Sequence, residues 1–359
     1  MAPKKNLNSK ELEKRLIKFN QLLIAHPKLQ EVDNHINNFL RNPCSSHIAL
    51  VYGPTGVGKT VLSIAIKRRI LEKHLSALEN NPGIIPIVWM RVSPPHLGQF
   101  SWRSFYIDAL EAINEPLIQY KTDVNVKYNR TANATTLEKA FKKALKHRQT
   151  SVVIIDEAQH FGKIASGKRL LDQMDVIKTL SEDSGTLYIL FGTYDLWMFR
   201  DLSGQLARRN QSIHFPRYYA ERKEDITNFK SILHTFETHL PFEKKPELVK
   251  NWDYFYERSI GCVGILKNWL ERSISKALYE GKNTIYYKHL QDTALSISQC
   301  EKIIRESING ENNVLESEKT NEELIRLLKI ETKEHPARRG KRDVGKRNPQ
   351  RDPVGVQTN

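Results

Sequence analysis

The stretch GPTGVGKT at residues 53–60 has the spacing G-x-x-x-x-G-K-T. Gly53, Gly56 and Gly58 free the backbone to curl so that successive N–H groups face one point, which is how a loop cradles a phosphate. Pro54, Thr55 and Val57 fill the loop. Val61 opens the amphipathic run VLSIAIKRRILEKH, a helix whose positive end adds to the attraction. In such a loop Lys59 reaches the β- and γ-phosphates of a nucleotide, and the Thr60 hydroxyl holds Mg²⁺.

A second chemical stretch, SVVIIDEAQH, ends an apolar run in paired carboxylates. Asp156 stands where a strand-end aspartate orients the Mg²⁺ shell, so Thr60 and Asp156 form the expected metal pair. Glu157 is placed to act as general base toward an attacking water. A third apolar run ends in FGTYD, where Thr193 contacts the γ-phosphate side as a sensor, or else Thr193 or Asp195 caps the next helix. No N-K-x-D stretch selects guanine, and no helicase series accompanies the two motifs. The expected cofactors are therefore ATP and Mg²⁺, and the expected activity is ATP hydrolysis.

The segment LSGQLARRNQSIHF at 202–215 starts like the LSGGQ signature of ABC-type ATPases. It lacks one glycine and follows the DE pair, whereas that signature precedes it. In an AAA+ ring, by contrast, the segment between the fourth and fifth core strands ends in an arginine that completes the neighbour's site. Arg209 fits that place best and Arg208 next, because a planar guanidinium can bridge phosphate oxygens.

The elements that must position these groups follow from the hydrophobic pattern. Five short apolar runs, at 47–53, 83–93, 151–156, 186–193 and 212–218, alternate with amphipathic stretches. Near-continuous apolar runs of this kind belong to a parallel sheet covered on both faces. Upstream, Leu12, Leu16, Phe19 and Leu23 mark one face of a helix over 9–25, with Asn8 and Glu11 as a capping pair. Leu29, Val32, Ile36 and Phe39 mark another. Beyond about residue 220 the pattern is helical. The expected division is 1–45 as N-terminal helices, 46–220 as the α/β nucleotide-binding core, 221–310 as a helical lid and 311–359 as a mostly disordered basic tail.

Composition excludes some classes. The 359 residues carry a net charge of +15 and 39% hydrophobic residues, without a continuous apolar run long enough to span a bilayer. Residues 333–359 hold eight Lys/Arg against three Asp/Glu, and the rest of the chain is still basic. A polyanionic partner is therefore expected. The N-terminus MAPKKNLNSKELEK lacks the apolar core of a secretory signal. Cys44, Cys262 and Cys300 are far apart in sequence and odd in number, consistent with reduced thiols in the cytoplasm.

Together GPTGVGKT, VVIIDEAQH, LFGTYDL, LARRNQSIHFPRY and GCVGILKNWLERSISKALYEGKNTIYYKHL resemble the TnsC/TniB family, AAA+ regulators of heteromeric DNA transposons, including CRISPR-associated ones. The resemblance covers roughly residues 10–300. The two phosphate motifs are generic, whereas FP-R-Y followed by G-x-x-G-x-L is more specific. It implies an α/β AAA+ P-loop fold with a five-stranded parallel core and a small C-terminal helical lid. It further implies a bacterial, cytoplasmic ATPase that forms homo-oligomeric rings or helical filaments on double-stranded DNA. Its partners would be transposase subunits and a target-selector protein. Lys59, Thr60, Asp156 and Glu157 carry over position by position, with Arg209 acting in trans. One departure stands out: Gly264 occupies the place where related ATPases carry a sensor-2 arginine, and Lys267 is the nearest substitute. In this family an insertion near 91–130 faces DNA. Here that stretch mixes Arg91, Arg103, Lys121, Lys127 and Arg130 with Phe100, Trp102, Phe105, Tyr106 and Tyr120, and Arg103 and Lys121 are the expected phosphate contacts. Two alternatives remain open, a replication initiator or loader ATPase and a STAND-type signalling ATPase.

Overall fold

Five strands form one parallel sheet: β1 (Ile48–Tyr52), β2 (Ile87–Arg91), β3 (Val152–Asp156), β4 (Leu187–Gly192) and β5 (Asn210–His214), in the spatial order β2-β3-β4-β1-β5. The computed structural model describes residues 9–43, 47–94, 100–115, 133–162, 167–199, 210–242, 244–315 and 324–329. Described residues as far as Val314 make up one compact unit; Leu315 and 324–329 belong to a second. The helices are α1 (Ser9–Asn20), α2 (Pro27–Arg41), α3 (Lys59–Lys73), α4 (Leu75–Asn80), α5 (Trp102–Ala112) and α6 (Ala134–His147). They continue with α7 (Gly167–Ser184), α8 (Lys223–His239), α9 (Trp252–Ser259), α10 (Val263–Tyr279), α11 (Tyr287–Thr293) and α12 (Ile297–Val314).

Alternate strand residues feed two cores, as the period of two requires. On one face Ala49, Val51, Ile154, Ile189 and Phe191 pack with Val32, Ile36 and Phe39 of α2 and Leu62, Ile66 and Ile70 of α3. On the other, Leu50, Val153, Ile155 and Leu190 pack with Phe105 and Leu110 of α5, Phe141 and Leu145 of α6, and Ile177 and Leu180 of α7. All five residues of β1 and of β3 are buried, which explains their unbroken apolar runs. Because β4 lies between β1 and β3, its C-terminal end falls between the glycine loop and the DE pair. Ligands of open α/β sheets bind at such ends.

A third core holds α8, α9, α10 and α11 around Trp269, and it includes Phe19 of α1. The first helix thus packs with the C-terminal helices, while α2 covers the sheet. Helix α1 ends at Asn20, and Leu23, expected on its apolar face, lies beyond it, 47% exposed. Asn8 lies outside the described residues, so the expected capping pair does too. Helix α12 runs to Val314, past the 310 boundary expected for the lid.

The fifth apolar run departs from expectation. The strand is Asn210–His214 and leaves the sheet at Phe215, whose N–H still bonds the Tyr52 carbonyl at 2.8 Å. Pro216 has no N–H to continue the ladder. Arg217 and Tyr218 instead join the end of β5 to the C-terminal helices. The Tyr218 N–H bonds Gly261 O at 3.0 Å, and buried Arg217 grips Glu311 of α12 with two bonds of 2.8 and 3.1 Å. Buried Lys28 ties α2 into this crossing through Asp225 and the Arg217 carbonyl, both at 2.6 Å.

His26 caps α2 within the same crossing. Its Nδ1 accepts from the Leu29 N–H at 3.3 Å and from the Tyr218 hydroxyl at 3.0 Å, so the ring is neutral and carries its proton on Nε2. Burial, aided by the charge of Lys28, lowers its pKa from 6.5 to about 4. Burial also takes His214 to about 4. As pH falls below 6.5, the unfolded chain binds protons that the folded chain refuses until near 4, so stability is lost across that window. For His26 the loss at pH 5 is about 2 kcal/mol, taking about 1.4 kcal/mol per pKa unit. Thermal melts should show a lower midpoint at pH 5 than at pH 7. The gap should narrow in His26→Asn, which keeps a capping oxygen; an unchanged gap would remove His26 as the cause.

Candidate nucleotide site

Strand β1 delivers the glycine loop to the C-terminal edge of the sheet. Gly56 and Gly58 adopt φ of +78° and +118°, conformations that L side chains rarely take, and α3 starts at Lys59 immediately behind them. Gly53 is fixed differently: a Cβ there would lie 2.1 Å from the Phe215 carbonyl oxygen. Pro54 and Val57 are buried, Thr55 and Val61 exposed, so Val61 starts the outer face of α3. The Lys59 ammonium donates to the Gly53 and Pro54 carbonyls at 2.9 and 2.8 Å. Burial lowers its pKa from 10.5 to about 8 against the opposing pull of nearby carboxylates.

The second motif arrives on β3. Asp156 is buried, and its Oδ2 accepts from the Thr60 hydroxyl at 2.8 Å and from Arg91 at 3.4 Å. Its other oxygen accepts the Glu157 N–H at 3.0 Å. Glu157 itself has φ +57°, a costly conformation for a residue with a Cβ, in the bend where the chain turns from β3 into a 3₁₀ turn at Ala158–Gly162. Gln159 on that turn donates to Glu157 Oε2 at 2.6 Å.

Thr193 follows β4 between these motifs. Its hydroxyl donates to Asp195 at 3.3 Å and its carbonyl accepts from Leu196 N–H, so it does start the 3₁₀ turn Tyr194–Phe199. It also lines a cleft of about 290 Å³ with Pro54, Thr55 and Tyr194. Glu306 and Ser307 of α12 line it as well. Thr193 thus starts the 3₁₀ turn through its backbone carbonyl and also lines the cleft.

Helix α10 touches the glycine loop directly. Ile265 N–H donates to the Gly56 carbonyl at 3.1 Å, and a Cβ on Gly264 would lie 2.5 Å from that same oxygen. The sensor-2 place is thus filled by backbone against backbone. Lys267, the nearest candidate substitute, bonds Asn20 O at 2.7 Å and pairs with Glu271 at 3.5 Å, tied to α1. Cys262, which precedes α10, is fully buried, and burial pushes its thiol up to about 12, so it packs rather than reacts.

These groups fit a nucleotide triphosphate with one Mg²⁺. The left-handed glycines form a cradle, one ammonium stands in it, and a hydroxyl and a carboxylate sit side by side. Among the described residues no cluster of three or more His, Cys, Asp or Glu could hold a metal alone. A cation there needs oxygens from the nucleotide, the usual arrangement for Mg²⁺.

A family model described as AAA domain matches residues 45–198, which span the glycine loop, the DE pair and Thr193. That stretch, less than half of the chain, is similar to an AAA domain. The fold of the chain is the α/β AAA fold, with the five-stranded parallel sheet and C-terminal helices expected from the sequence. The ADP form of the Aeropyrum pernix ORC2 protein is similar in structure, with TM-score 0.52, 17% identity, and coverage of 78% of this chain and 71% of that one. The Aeropyrum pernix ORC1 protein in complex with DNA gives TM-score 0.51 at 18% identity, over 74% of this chain and 63% of that one. This chain therefore spans less than two thirds of ORC1. No curated protein sequence matches the chain.

Other expected site residues lie apart from the AAA site or outside the described residues. Arg208, Arg209, Lys121, Lys127 and Arg130 are outside them. Arg103 is half-buried on the first turn of α5. The aromatics beside it serve packing: Phe105 and Tyr106 are buried, and Trp102 stacks on Phe161 with centroids 5.8 Å apart. Arg91, expected among DNA-facing residues, instead reaches Asp156. It ends β2 in register with Asp156, a pairing across strands that no spacing in the sequence shows. No helix among the described residues is long and apolar enough to cross a membrane.

Proposed function

We propose that this chain is an ATP-hydrolysing switch that assembles on duplex DNA in the manner of an initiator or loader ATPase. The observation that supports it most is the backbone contact between lid and glycine loop, Ile265 N–H to Gly56 O. A nucleotide entering beside that contact must be accommodated by the lid, so its state becomes a change in domain geometry. When bound with Mg²⁺, ATP supplies the phosphoanhydride that is cleaved. Lys59 would exchange its two carbonyl partners for phosphate oxygens. Thr60 and Asp156 would hold Mg²⁺, Glu157 would take the proton of the attacking water, and Thr193 would orient the γ-phosphate side. Arg209 would complete a neighbour's site in trans, which makes hydrolysis report on assembly. Arg103 and Lys121 would meet DNA phosphates, giving salt-dependent and largely sequence-independent binding.

A second reading, a regulator of DNA transposition that meets transposase subunits and a target selector, rests on the paired motifs FP-R-Y and G-x-x-G-x-L. Both motifs border the core–lid crossing, where Tyr218 N–H bonds Gly261 O.

Incubating the full chain with ATP, Mg²⁺ and duplexes of increasing length should give particles whose size grows with DNA length, and ADP should give none. Length-independent particles, or none with ATP, would overturn the switch. Within that assay Arg209→Ala should lower turnover about 10³-fold, the scale of an arginine finger, with nucleotide binding by the monomer intact. Loss of monomer binding would remove the role in trans.

A further inference from the structure

We propose that Gln159 is the positioning residue for Glu157, locking the general base to the end of β4. The inference rests on the reading of Glu157 as base. Gln159 is buried at 7% exposure, and its amide is used at both ends. Nε2 donates to Glu157 Oε2 at 2.6 Å, while Oε1 accepts the Thr193 N–H at 3.2 Å. Thr193 N–H can only donate and an ionised carboxylate can only accept, so this is the one amide orientation that satisfies both.

The surroundings leave room for this bridge and little else. Gly192 ends β4, and a Cβ there would lie 2.8 Å from Gln159 Oε1. The absence of a side chain at 192 is what lets the amide cross to Thr193. Phe161, two residues on, is fully buried among Phe100, Trp102 and Phe105, which fixes the 3₁₀ turn that carries Gln159. Glu157 is held in a left-handed conformation by the same bend.

Chemically, the amide fixes one carboxylate oxygen and leaves Oε1 of Glu157 to receive a proton. A general base must lie within hydrogen-bond reach of the proton it takes, and a misplacement of about 1 Å costs about 10²-fold in rate. Because the far end of the amide is pinned at Thr193, movement of the cleft wall shifts the base through Gln159. Glu157 thereby acts at full rate only when the end of β4 is in place.

The test uses the full chain with duplex DNA, comparing Gln159→Met, which keeps the volume without polar atoms, with Gln159→Glu, which keeps the acceptor for Thr193 and sets a second carboxyl group against Glu157 in place of the amide donor. Steady-state turnover against ATP concentration should show kcat down about 10- to 100-fold with KM within about threefold, in variants that still melt cooperatively. If Gln159→Met does not fold, Gln159→Glu carries the same prediction. Under single-turnover conditions, adding Gln159→Met to Glu157→Gln should slow hydrolysis no further, because no carboxylate base remains to position. Wild-type kcat in both Gln159 variants, or losses that multiply in the double variant, would overturn the inference. Full turnover by Glu157→Gln would instead remove the base itself, a different failure read from a different variant.

Discussion

Glu157→Gln is expected to lower ATP turnover by about 10²- to 10⁴-fold while leaving ATP binding within a few-fold of wild type. The substitution keeps the shape of the side chain but removes its basicity. Its side chain bonds the Gln159 amide in the free protein, while the glycine loop is tied to this motif through Asp156, which the substitution leaves in place. The phosphate side of the site, made by Lys59, Thr60 and the loop backbone, should therefore survive the change. Fluorescent-nucleotide titration and phosphate-release kinetics on one preparation check both halves. Tight binding without turnover should also trap the ATP-bound assembly on DNA. Turnover near the wild-type rate would transfer the base role elsewhere, and loss of binding would mean that the bend, not the carboxylate, is what the residue supports.

Much of this site was legible because its parts are local in sequence. The glycine loop, Lys59 and Thr60 lie within eight residues, and the unbroken apolar run ending at Asp156 is what a strand buried on both faces must look like. The sheet and the C-terminal helices follow from the same periodicity. Contacts made through empty space were not legible. Gly264 in the sequence is a missing arginine; in the fold it is the only residue type that lets α10 approach the Gly56 carbonyl. Gln159 carries no periodic signal, since its two partners come from a 3₁₀ turn and from the end of β4. FPRY is apolar enough to extend β5, yet Pro216 and the Tyr218–Gly261 bond take it out of the sheet. Arg217 shows the same limit: its partner, Glu311, is 94 residues away, in a segment whose charge suggested an unstructured tail.

Gly264→Ala is expected to weaken ATP and ADP binding about 5- to 150-fold, and Gly264→Arg to weaken it further rather than supply a sensor. A Cβ at 264 would fall 2.5 Å from Gly56 O and 3.1 Å from its carbonyl carbon. Both are backbone atoms, so no side chain can rotate away. The loop side is as tight, because a Cβ on Gly56 would fall 2.4 Å from Ile265 Cγ1. Either α10 lifts and the Ile265–Gly56 hydrogen bond of 3.1 Å breaks, or the loop is pushed out of its phosphate-binding curve. Overpacking of this kind costs about 1–3 kcal/mol, or roughly 5- to 150-fold in an equilibrium constant. The lid cannot adjust freely, because Ile260 and Gly261, just before α10, are both left-handed and Gly261 sits against the Tyr218 carbonyl. Titration of a fluorescent ADP analogue against Gly264→Ala and Gly264→Arg measures the effect, with a melting curve to confirm that the core is intact. Unchanged affinity in the alanine variant would mean that lid and loop part freely, and the contact would then carry no information about nucleotide state.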